Sequence, residues 1–244
     1  DEIRQVADIS LVPGLSADEK ESFETIIFEN LNYSVLIVPI GGMSAYPTMV
    51  MQTTDLVWLT EVIAHEWTHN YLALQPLGIN YDITPELRTI NETTASLVGK
   101  EMSFAMLLHF YPEKLPVPVK DDLAEENLQS GIIEKIFDFR AEMRQTRTVV
   151  DGMLVNGKIE EAEQYMELRR QVFWENGYLI RKLNQAYFAF YGAYNDQPGG
   201  GASGDDPVGP AVVALRQQSS SLSDFLGKIA QVTSYEELLL LLEQ

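Results

Sequence analysis

The feature that most constrains this chain is a twenty-residue run without glycine or proline, DLVWLTEVIAHEWTHNYLAL, at positions 55–74. Thr53, Thr54 or Asp55 can cap its start, so the run predicts one long helix. Most of its residues are apolar, which favours a helix that is covered by other parts of the chain. The sequence therefore predicts a long helix packed inside the molecule.

Two of the three histidines of the chain lie in this helix, in the segment HEWTH. Residues four apart share one helix face, so His65 and His69 can direct their imidazoles to one point, which Glu66 overhangs. This is the HExxH spacing, in which two histidines bind zinc and the glutamate takes a proton from a water that the metal activates. The alternative is chance: a random HExxH arises in about one of several hundred such chains.

A zinc site needs a third protein ligand and an open fourth position. The chain has no cysteine, which excludes a thiolate ligand and leaves His109, an aspartate or a glutamate. A second helix is predicted after the first, with Thr84 as its cap and Pro85 in its first turn. It contains the segment INETTAS, and two neighbouring helices can each present ligands to one metal. Glu92 of this segment is therefore a candidate.

HEWTH followed by NETTA resembles the gluzincin arrangement, which thermolysin-like peptidases and zinc aminopeptidases share. The NE..A form is closest to the aminopeptidase pattern and to predicted bacterial aminopeptidases. The resemblance covers these two segments and the residues between them. It implies that His65, His69 and Glu92 bind one catalytic Zn²⁺ and that Glu66 is the catalytic base.

Other candidate ligands on the second helix fit less well. Glu86 and Glu101 are expected on solvated faces, and His109 is expected too far along the helix axis. In thermolysin-like enzymes an aspartate four residues after the third ligand orients the first histidine, and Ser96 stands at that position here. A metal-bound histidine usually donates its other N–H to an acceptor. We therefore expect a backbone carbonyl or another carboxylate to take that place.

Hydrolysis of a peptide through a tetrahedral oxyanion calls for a further donor beside the metal. Thermolysin-like enzymes use a histidine and a tyrosine, and no spare histidine is expected within reach here. The segment LNQAYFAFYGAY places Tyr187, Tyr191 and Tyr194 at helical spacing, and Tyr81 lies between the two motifs. The predicted order is Tyr191, Tyr187, Tyr81. The alternative is that these tyrosines pack in a helix interface.

The rest of the chain predicts a few strands followed by helices. A first helix is predicted over 14–31, a buried strand over the β-branched run 33–42, and a weaker strand over 45–52. Beyond position 120 the pattern is helical, interrupted by a glycine- and proline-rich loop at 195–210. That loop can serve as a lid over a site or be simply disordered.

These elements predict an α+β, predominantly helical protein. A zincin-like catalytic core with a small N-terminal sheet is expected over 1–120. A larger helical C-terminal part is expected over 121–244, packed on the first or continuous with it as one domain.

The chain is strongly acidic, with 36 acidic and 17 basic residues and a formal net charge of −19. Such a surface repels phosphate backbones, which disfavours nucleic acid as a partner. Solubility or attraction of cationic substrates can account for the charge. The basic side chains Arg169, Arg170, Arg181 and Lys182 can bind a substrate carboxylate or, as we expect in so acidic a chain, pair with glutamates on helix faces.

No apolar run approaches the roughly 18 residues that span a bilayer, so no membrane span is predicted. The chain opens at Asp1 rather than methionine, which indicates a processed or trimmed product. A signal peptide or anchor can have been removed, and an extracytoplasmic location is slightly favoured over a cytoplasmic one. The sequence leaves the oligomeric state open.

The predicted function is a zinc-dependent peptidase that hydrolyses a peptide or protein substrate with Glu66 as base. An extended substrate is expected to pair with a sheet edge near 45–52, although that segment can be a plain structural strand. Aminopeptidase and endopeptidase action are not separated by these residues. The alternative is a catalytically inactive zincin-like module that serves binding or assembly.

Overall fold

A computed structural model describes residues 3–115, 137–194 and 206–243. These residues are predominantly helical, with one small two-stranded sheet. The expected α+β, mainly helical class is therefore confirmed. None of the helices in the described ranges has both the length and the apolar character needed to cross a membrane.

The elements follow one another in the chain with these bounds. They are α1 (Ala17–Leu31), β1 (Gly42–Met43), β2 (Met49–Val50), α2 (Leu56–Leu72), α3 (Pro76–Ile79), α4 (Pro85–Phe110), a short 3-10 helix (Pro112–Lys114), α5 (Phe139–Val155), α6 (Ile159–Glu175), α7 (Gln185–Tyr191), α8 (Val208–Gln218), α9 (Leu222–Ile229) and α10 (Tyr235–Leu242).

The predicted caps start the two helices that matter most for the site. The Asp55 side chain accepts a hydrogen bond from the Trp58 N–H at the start of α2. Thr84 accepts from the Leu87 N–H at the start of α4, with Pro85 in its first turn. Each cap satisfies an amide that has no partner within the helix. Local sequence therefore decides where both helices begin.

The buried strand predicted over 33–42 is wrong. The segment has no regular secondary structure, is half-buried to exposed, and enters the described sheet only at Gly42. Its backbone is satisfied by side chains instead: the Ile37 N–H donates to Glu24 Oε1 at 2.6 Å, and the Ile37 carbonyl accepts from Arg181 Nη2 at 2.8 Å. A β-branched composition favours extended backbone, but a strand also needs a neighbouring strand to pair with.

The weaker strand predicted over 45–52 forms only as β2. It pairs antiparallel with β1, Gly42 opposite Val50 and Met43 opposite Met49. Proline cannot donate to a sheet ladder, and Pro47 lies in the turn between the two strands. The sheet is therefore a short flap beside α2 rather than a layer of the core.

One hydrophobic core surrounds α4. It joins α2 and α3 to the C-terminal helices through the following buried residues: Leu72, Leu77, Leu87, Ile90, Val98, Val208, Ala211, Val212, Leu215, Phe225, Ile229, Ala230, Val232 and Leu238. Helices α8 to α10 thus fold back onto the helix that carries Glu92.

A second core is formed by α5, α6 and α7. Its buried residues are Met143, Val150, Leu154, Ala162, Met166, Phe173, Leu183 and Phe188, together with Ile3 from the N-terminal segment. Both cores join early and late parts of the chain. The predicted boundary at position 120 lies outside the described residues, and the division into two parts stays a prediction.

A buried ion pair ties α1 to the segment before α7. The Glu24 side chain is fully buried and accepts hydrogen bonds from both terminal nitrogens of Arg181, at 2.8 and 2.6 Å. Lys182 Nζ lies 3.4 Å from the same carboxylate. Burial acts to raise the pKa of Glu24, but these partners outweigh it and lower the pKa. The carboxylate therefore stays ionised and holds the two segments together.

The other basic side chains of this region also pair with glutamates. Arg169 Nη2 lies 2.5 Å from Glu142 Oε2, and Arg170 Nη2 lies 2.7 Å from Glu167 Oε1. The expected pairing with glutamates is confirmed, although the Glu24 pair is buried rather than on a solvated helix face. All four cations thus have carboxylate partners of the chain itself.

Burial differs sharply between α2 and α4. Ten consecutive residues of α4, 87–96, are buried. Successive helical residues point about 100° apart, so such a run requires neighbours on every side. On α2 only Glu66, Thr68 and Leu72 are buried. The prediction that the apolar helix is packed inside is therefore wrong for one face, while its other residues are half-buried or buried.

The apolar residues of α2 form an exposed stripe. Ile63, Trp67 and Tyr71 are spaced by one helical turn and are 40%, 62% and 42% exposed. Leu74, just beyond the helix, extends the stripe. An apolar composition does not by itself decide which face of a helix is covered, because the neighbouring elements decide it.

Candidate metal centre

Helix α2 brings the two histidines of HEWTH together. The Nε2 atoms of His65 and His69 lie 3.0 Å apart, and their rings meet edge to face with centroids 4.7 Å apart. One helical turn separates the two residues, so they share one face. The two nitrogens therefore point at a common position beside the helix.

Helix α4 adds the carboxylate of Glu92. Its Oε2 atom lies 3.5 Å from His65 Nε2 and 3.3 Å from His69 Nε2. Ligand bonds of about 2.0–2.2 Å in a tetrahedron put neighbouring donor atoms roughly 3.3 Å apart. The three side chains form a group that can hold a metal ion, and its spacing suits zinc.

The two oxygens of the Glu92 carboxylate have different surroundings. The residue is 5% exposed, and its Oε2 atom has no hydrogen-bond partner. A buried polar atom without a partner costs free energy. The same atom faces the two imidazoles, so a cation at that position satisfies all three groups. This unpaired oxygen is the observation that fits a metal.

Electrostatics at this position favour positive charge. Burial acts to raise the pKa of Glu92, but His65 and His69 outweigh it and hold that pKa well below its usual value. Burial acts to lower the pKa of His69, but Glu92 outweighs it and the pKa rises. The same field that favours a proton on the imidazole favours a cation between the donors.

Small residues let the two helices approach closely. A Cβ atom at Gly99 would lie 2.9 Å from the Glu61 carbonyl oxygen and 3.3 Å from His65 Cβ. One turn further along, Thr60 Oγ1 and Ser103 Oγ share a hydrogen bond of 2.6 Å. Glycine is needed where one backbone passes so near another. The close contact places the Glu92 carboxylate within reach of both histidines.

Asn91 orients the second histidine. His69 Nδ1 and Asn91 Oδ1 lie 2.8 Å apart. If His69 donates from Nδ1 to the amide oxygen, its Nε2 lone pair is free to bind a metal, which is the arrangement usual at metal sites. The sequence predicts a backbone carbonyl or a carboxylate as acceptor for the first histidine, His65. The described acceptor is an amide side chain, and it contacts the second histidine, His69.

Glu66 lies beside the metal-binding group and is 8% exposed. The first strand covers it: a Cβ atom at Gly42 would lie 2.6 Å from Glu66 Cγ. Burial raises the pKa of Glu66, and the charge of Glu92 adds to the rise against the opposing effect of the histidines. A carboxylate with a raised pKa is a stronger base than one in water. Gly42 thus leaves room for a buried, basic carboxylate.

Tyr81 contacts the metal-binding group directly. Its hydroxyl donates a short hydrogen bond to Glu92 Oε1, and the same hydroxyl accepts from Arg88 Nε at 3.2 Å. Burial raises the pKa of Tyr81 far above its usual value, so the hydroxyl keeps its proton. Tyr81 therefore occupies one carboxylate oxygen and leaves the other facing the histidines.

Tyr194 is a site residue that the predicted order did not include. Its ring stacks on His65 with centroids 6.1 Å apart and an angle of 25°. Burial, and then the charge of Glu92, raise the pKa of Tyr194. Helix α7 ends at Tyr191. Helical spacing therefore could not predict that Tyr194 contacts His65 on α2.

The two tyrosines that the sequence predicts first as oxyanion donors lie elsewhere. Tyr187 packs against the second core, and burial raises its pKa to about 12. Tyr191 is 36% exposed, and its ring lies 4.6 Å from that of Tyr187. Tyr191 also packs against the Phe190 ring, with centroids 5.0 Å apart. A catalytic role for either tyrosine stays a prediction.

Two other candidate ligands have contacts elsewhere. Glu101 binds Arg216 through both oxygens, at 2.7 and 2.8 Å. The His109 ring packs against Phe110 at 4.5 Å. Within the described ranges, the group of two histidines and Glu92 is the one set of potential metal ligands that comes together.

Comparisons of the chain with protein-family models, with curated proteins and with solved structures find no match. The gluzincin resemblance therefore rests on the residues of the two motifs alone.

Proposed function

We propose that this chain is a zinc-dependent peptidase with a zincin-like core of the gluzincin type. The observation that carries the proposal is the convergence of three donors from two helices, with Glu92 Oε2 buried and unpaired between two imidazoles. Two histidines and one glutamate form a ligand set that catalytic zinc sites use.

His65, His69 and Glu92 would hold a zinc ion, which would supply Lewis-acid chemistry for a carbonyl oxygen and for a water that loses a proton near neutral pH. Glu66 lies beside these ligands and acts as the general base that accepts this proton. The same carboxyl group then donates the proton to the leaving amine. The raised pKa of Glu66 suits both steps, because it lies closer to neutral pH than that of an exposed carboxyl.

Tyr194 is the donor that we propose for the developing oxyanion. Its ring rests on His65 and its hydroxyl keeps its proton. Tyr81 already donates to Glu92, so it positions the ligand rather than the substrate. Tyr191 and Tyr187 remain the alternatives.

Metal content tests the proposal. Protein purified without an affinity tag is analysed for elements, and about one equivalent of zinc is expected for a single site. His65→Ala and Glu92→Ala are expected to lose the metal, while His109→Ala is the matched control that keeps it. A wild-type protein without bound metal that also fails to bind added zinc would contradict the proposal.

The second candidate is an inactive zincin-like module that binds another molecule. The exposed apolar stripe Ile63, Trp67 and Tyr71 favours this alternative, because it lies on the metal helix itself. A pool of fluorogenic peptides separates the two candidates. Hydrolysis that a chelator stops and added zinc restores indicates a peptidase, and bound zinc without hydrolysis indicates the inactive module.

A further inference from the structure

A cavity of about 700 Å³ opens at the N-terminal end of α4. The N-terminal segment, α5 and the end of α7 form its other walls, with Val6, Thr148 and Ala193 among the lining residues. Small-molecule sites in proteins commonly have volumes of about 300–1,000 Å³. The cavity is therefore large enough for the end of a peptide.

Arg88 lines this cavity and is 7% exposed. Its Nε donates to the Tyr81 hydroxyl, and its guanidinium lies 5.8 Å from the Tyr81 ring centroid. No carboxylate of the described residues forms an ion pair with it. A guanidinium carries five N–H donors, and a buried cation without a counter-ion is costly. The remaining donors are suited to an anion in the cavity.

The other charges of the cavity walls are engaged or more exposed. Arg147 Nε binds Asp151 at 2.8 Å. Asp206 accepts from the Val208 N–H at 2.9 Å. Asp82 and Glu86 also line the cavity, and their charge would repel a doubly charged anion. A singly charged group such as a carboxylate is repelled less, so these walls favour it over a doubly charged anion.

Arg88 also lies next to the metal centre. It precedes Glu92 by four residues on α4, so both residues lie on one helix face. The Tyr81 hydroxyl connects them, accepting from Arg88 and donating to Glu92. On the opposite wall, Ala193 lines the cavity while the next residue, Tyr194, stacks on His65. A ligand held by Arg88 therefore lies beside the metal-binding group.

We propose that Arg88 binds a carboxylate of the substrate through its guanidinium. Arginine binds carboxylates through two parallel hydrogen bonds, which fixes position as well as charge. The carboxylate is the free C-terminus of a short peptide or an acidic side chain. This assignment rests on the proposed peptidase function and specifies its substrate class: peptides with a carboxylate anchored near the scissile bond.

Binding calorimetry on the Glu66→Gln protein, loaded with zinc, tests the anchor without turnover. The probes are N-acetyl-Ala-Phe, its C-terminal amide, and N-acetyl-Ala-Glu with its C-terminus amidated. A hydrogen bond to a charged group contributes about 1.5–3 kcal/mol, so at least one acid is expected to bind roughly tenfold or more tightly than the neutral amide. Preference for the first probe assigns the C-terminus, and preference for the third assigns an acidic side chain.

Variants separate Arg88 from other sources of this preference. Arg88→Met is expected to abolish it, because the guanidinium is lost. The control Arg170→Met removes an arginine paired with Glu167 on α6 and leaves the preference unchanged. Equal binding of acids and amide by the Glu66→Gln protein, or a preference that survives Arg88→Met, overturns the proposal.

Two further measurements keep the test decisive. If Arg88→Met does not fold, as judged by circular dichroism, Thr148→Trp fills the cavity without altering Arg88 and is expected to lose binding of the acid. Repeating the titration after chelation separates the two proposals, since the acid preference is expected to persist without metal. If the acid preference persists but the wild-type protein hydrolyses no peptide, the role of Arg88 is supported and the peptidase function is rejected.

Discussion

Helices α2 and α4 form the candidate metal centre together, but they are covered in opposite ways. The more apolar helix, α2, buries three of its 17 residues and exposes an apolar stripe. The more polar helix, α4, buries 14 of its 26 residues, eight of them polar or charged. Composition therefore gives the wrong order of burial for this pair.

The difference follows from what surrounds each helix. Helix α4 has α2 on one side and the C-terminal helices on the other. Two of its buried hydroxyls are satisfied within the helix, as Thr89 and Thr94 each donate to the carbonyl four residues earlier, at 3.0 and 2.7 Å. Burying polar groups with partners costs little. The central position of α4 thus shields Glu92 from water without a purely apolar helix.

The largest expected effect concerns the one acidic residue buried on α2. If Glu66 is buried on α2 because it acts as a general base, Glu66→Gln should lower the rate of peptide hydrolysis by about 10²–10⁴-fold, the usual contribution of such a base. Zinc content and melting temperature should change little, because the amide keeps the shape of the carboxyl group. Steady-state kinetics and elemental analysis measure both, with Glu101→Gln on α4 as control. Near-normal hydrolysis by the Glu66 variant would exclude it as the base.

The packing comparison is tested by the same substitution on each helix. Ile90→Ala on α4 leaves a cavity in the first core and is expected to lower the free energy of unfolding by about 2–5 kcal/mol. Ile63→Ala on α2 removes a side chain that is 40% exposed, and a change within about 1 kcal/mol is expected. Urea denaturation measures both values. Equal losses would mean that α2 is covered in solution, as its composition predicts.

Two asparagines give the smallest and most specific comparison. Asn91 on α4 contacts His69, whereas Asn70 on α2 donates to Thr48 Oγ1 at 2.8 Å in the loop between the strands. Loss of a partner that orients a metal ligand typically lowers metal affinity about 10–100-fold. We therefore expect that loss for Asn91→Ala and no comparable loss for Asn70→Ala, measured by competition with a zinc chelator. Asn91→Asp, which restores an acceptor, should recover affinity.

Much of the site could be predicted because its signals are local. The HEWTH spacing alone places two imidazoles on one helix face, and the caps Asp55 and Thr84 mark where both helices begin. Glu92 could be proposed from the motif on the following helix. Such features depend on neighbours within one or two turns, which the sequence displays directly.

The rest depends on contacts between distant parts of the chain. The run 33–42 found side-chain partners, Glu24 and Arg181, instead of a neighbouring strand. The burial of Arg88 could not be predicted from the sequence, because a charged residue near a helix start is ordinarily solvated. It is buried by the cavity walls, which come from distant parts of the chain. The predicted tyrosines followed helical spacing, and helix α7 ends before Tyr194.

By itself the sequence determined the secondary structure of α2 and α4 and the chemical identity of the candidate donors. Both are set by side chains within a few residues of one another. Tertiary structure alone decided which helix is central, which tyrosines reach the candidate metal-binding group, and where a guanidinium lies without a counter-ion among the described residues. Those outcomes depend on which surfaces exclude water from each other, and that is a property of the assembled chain.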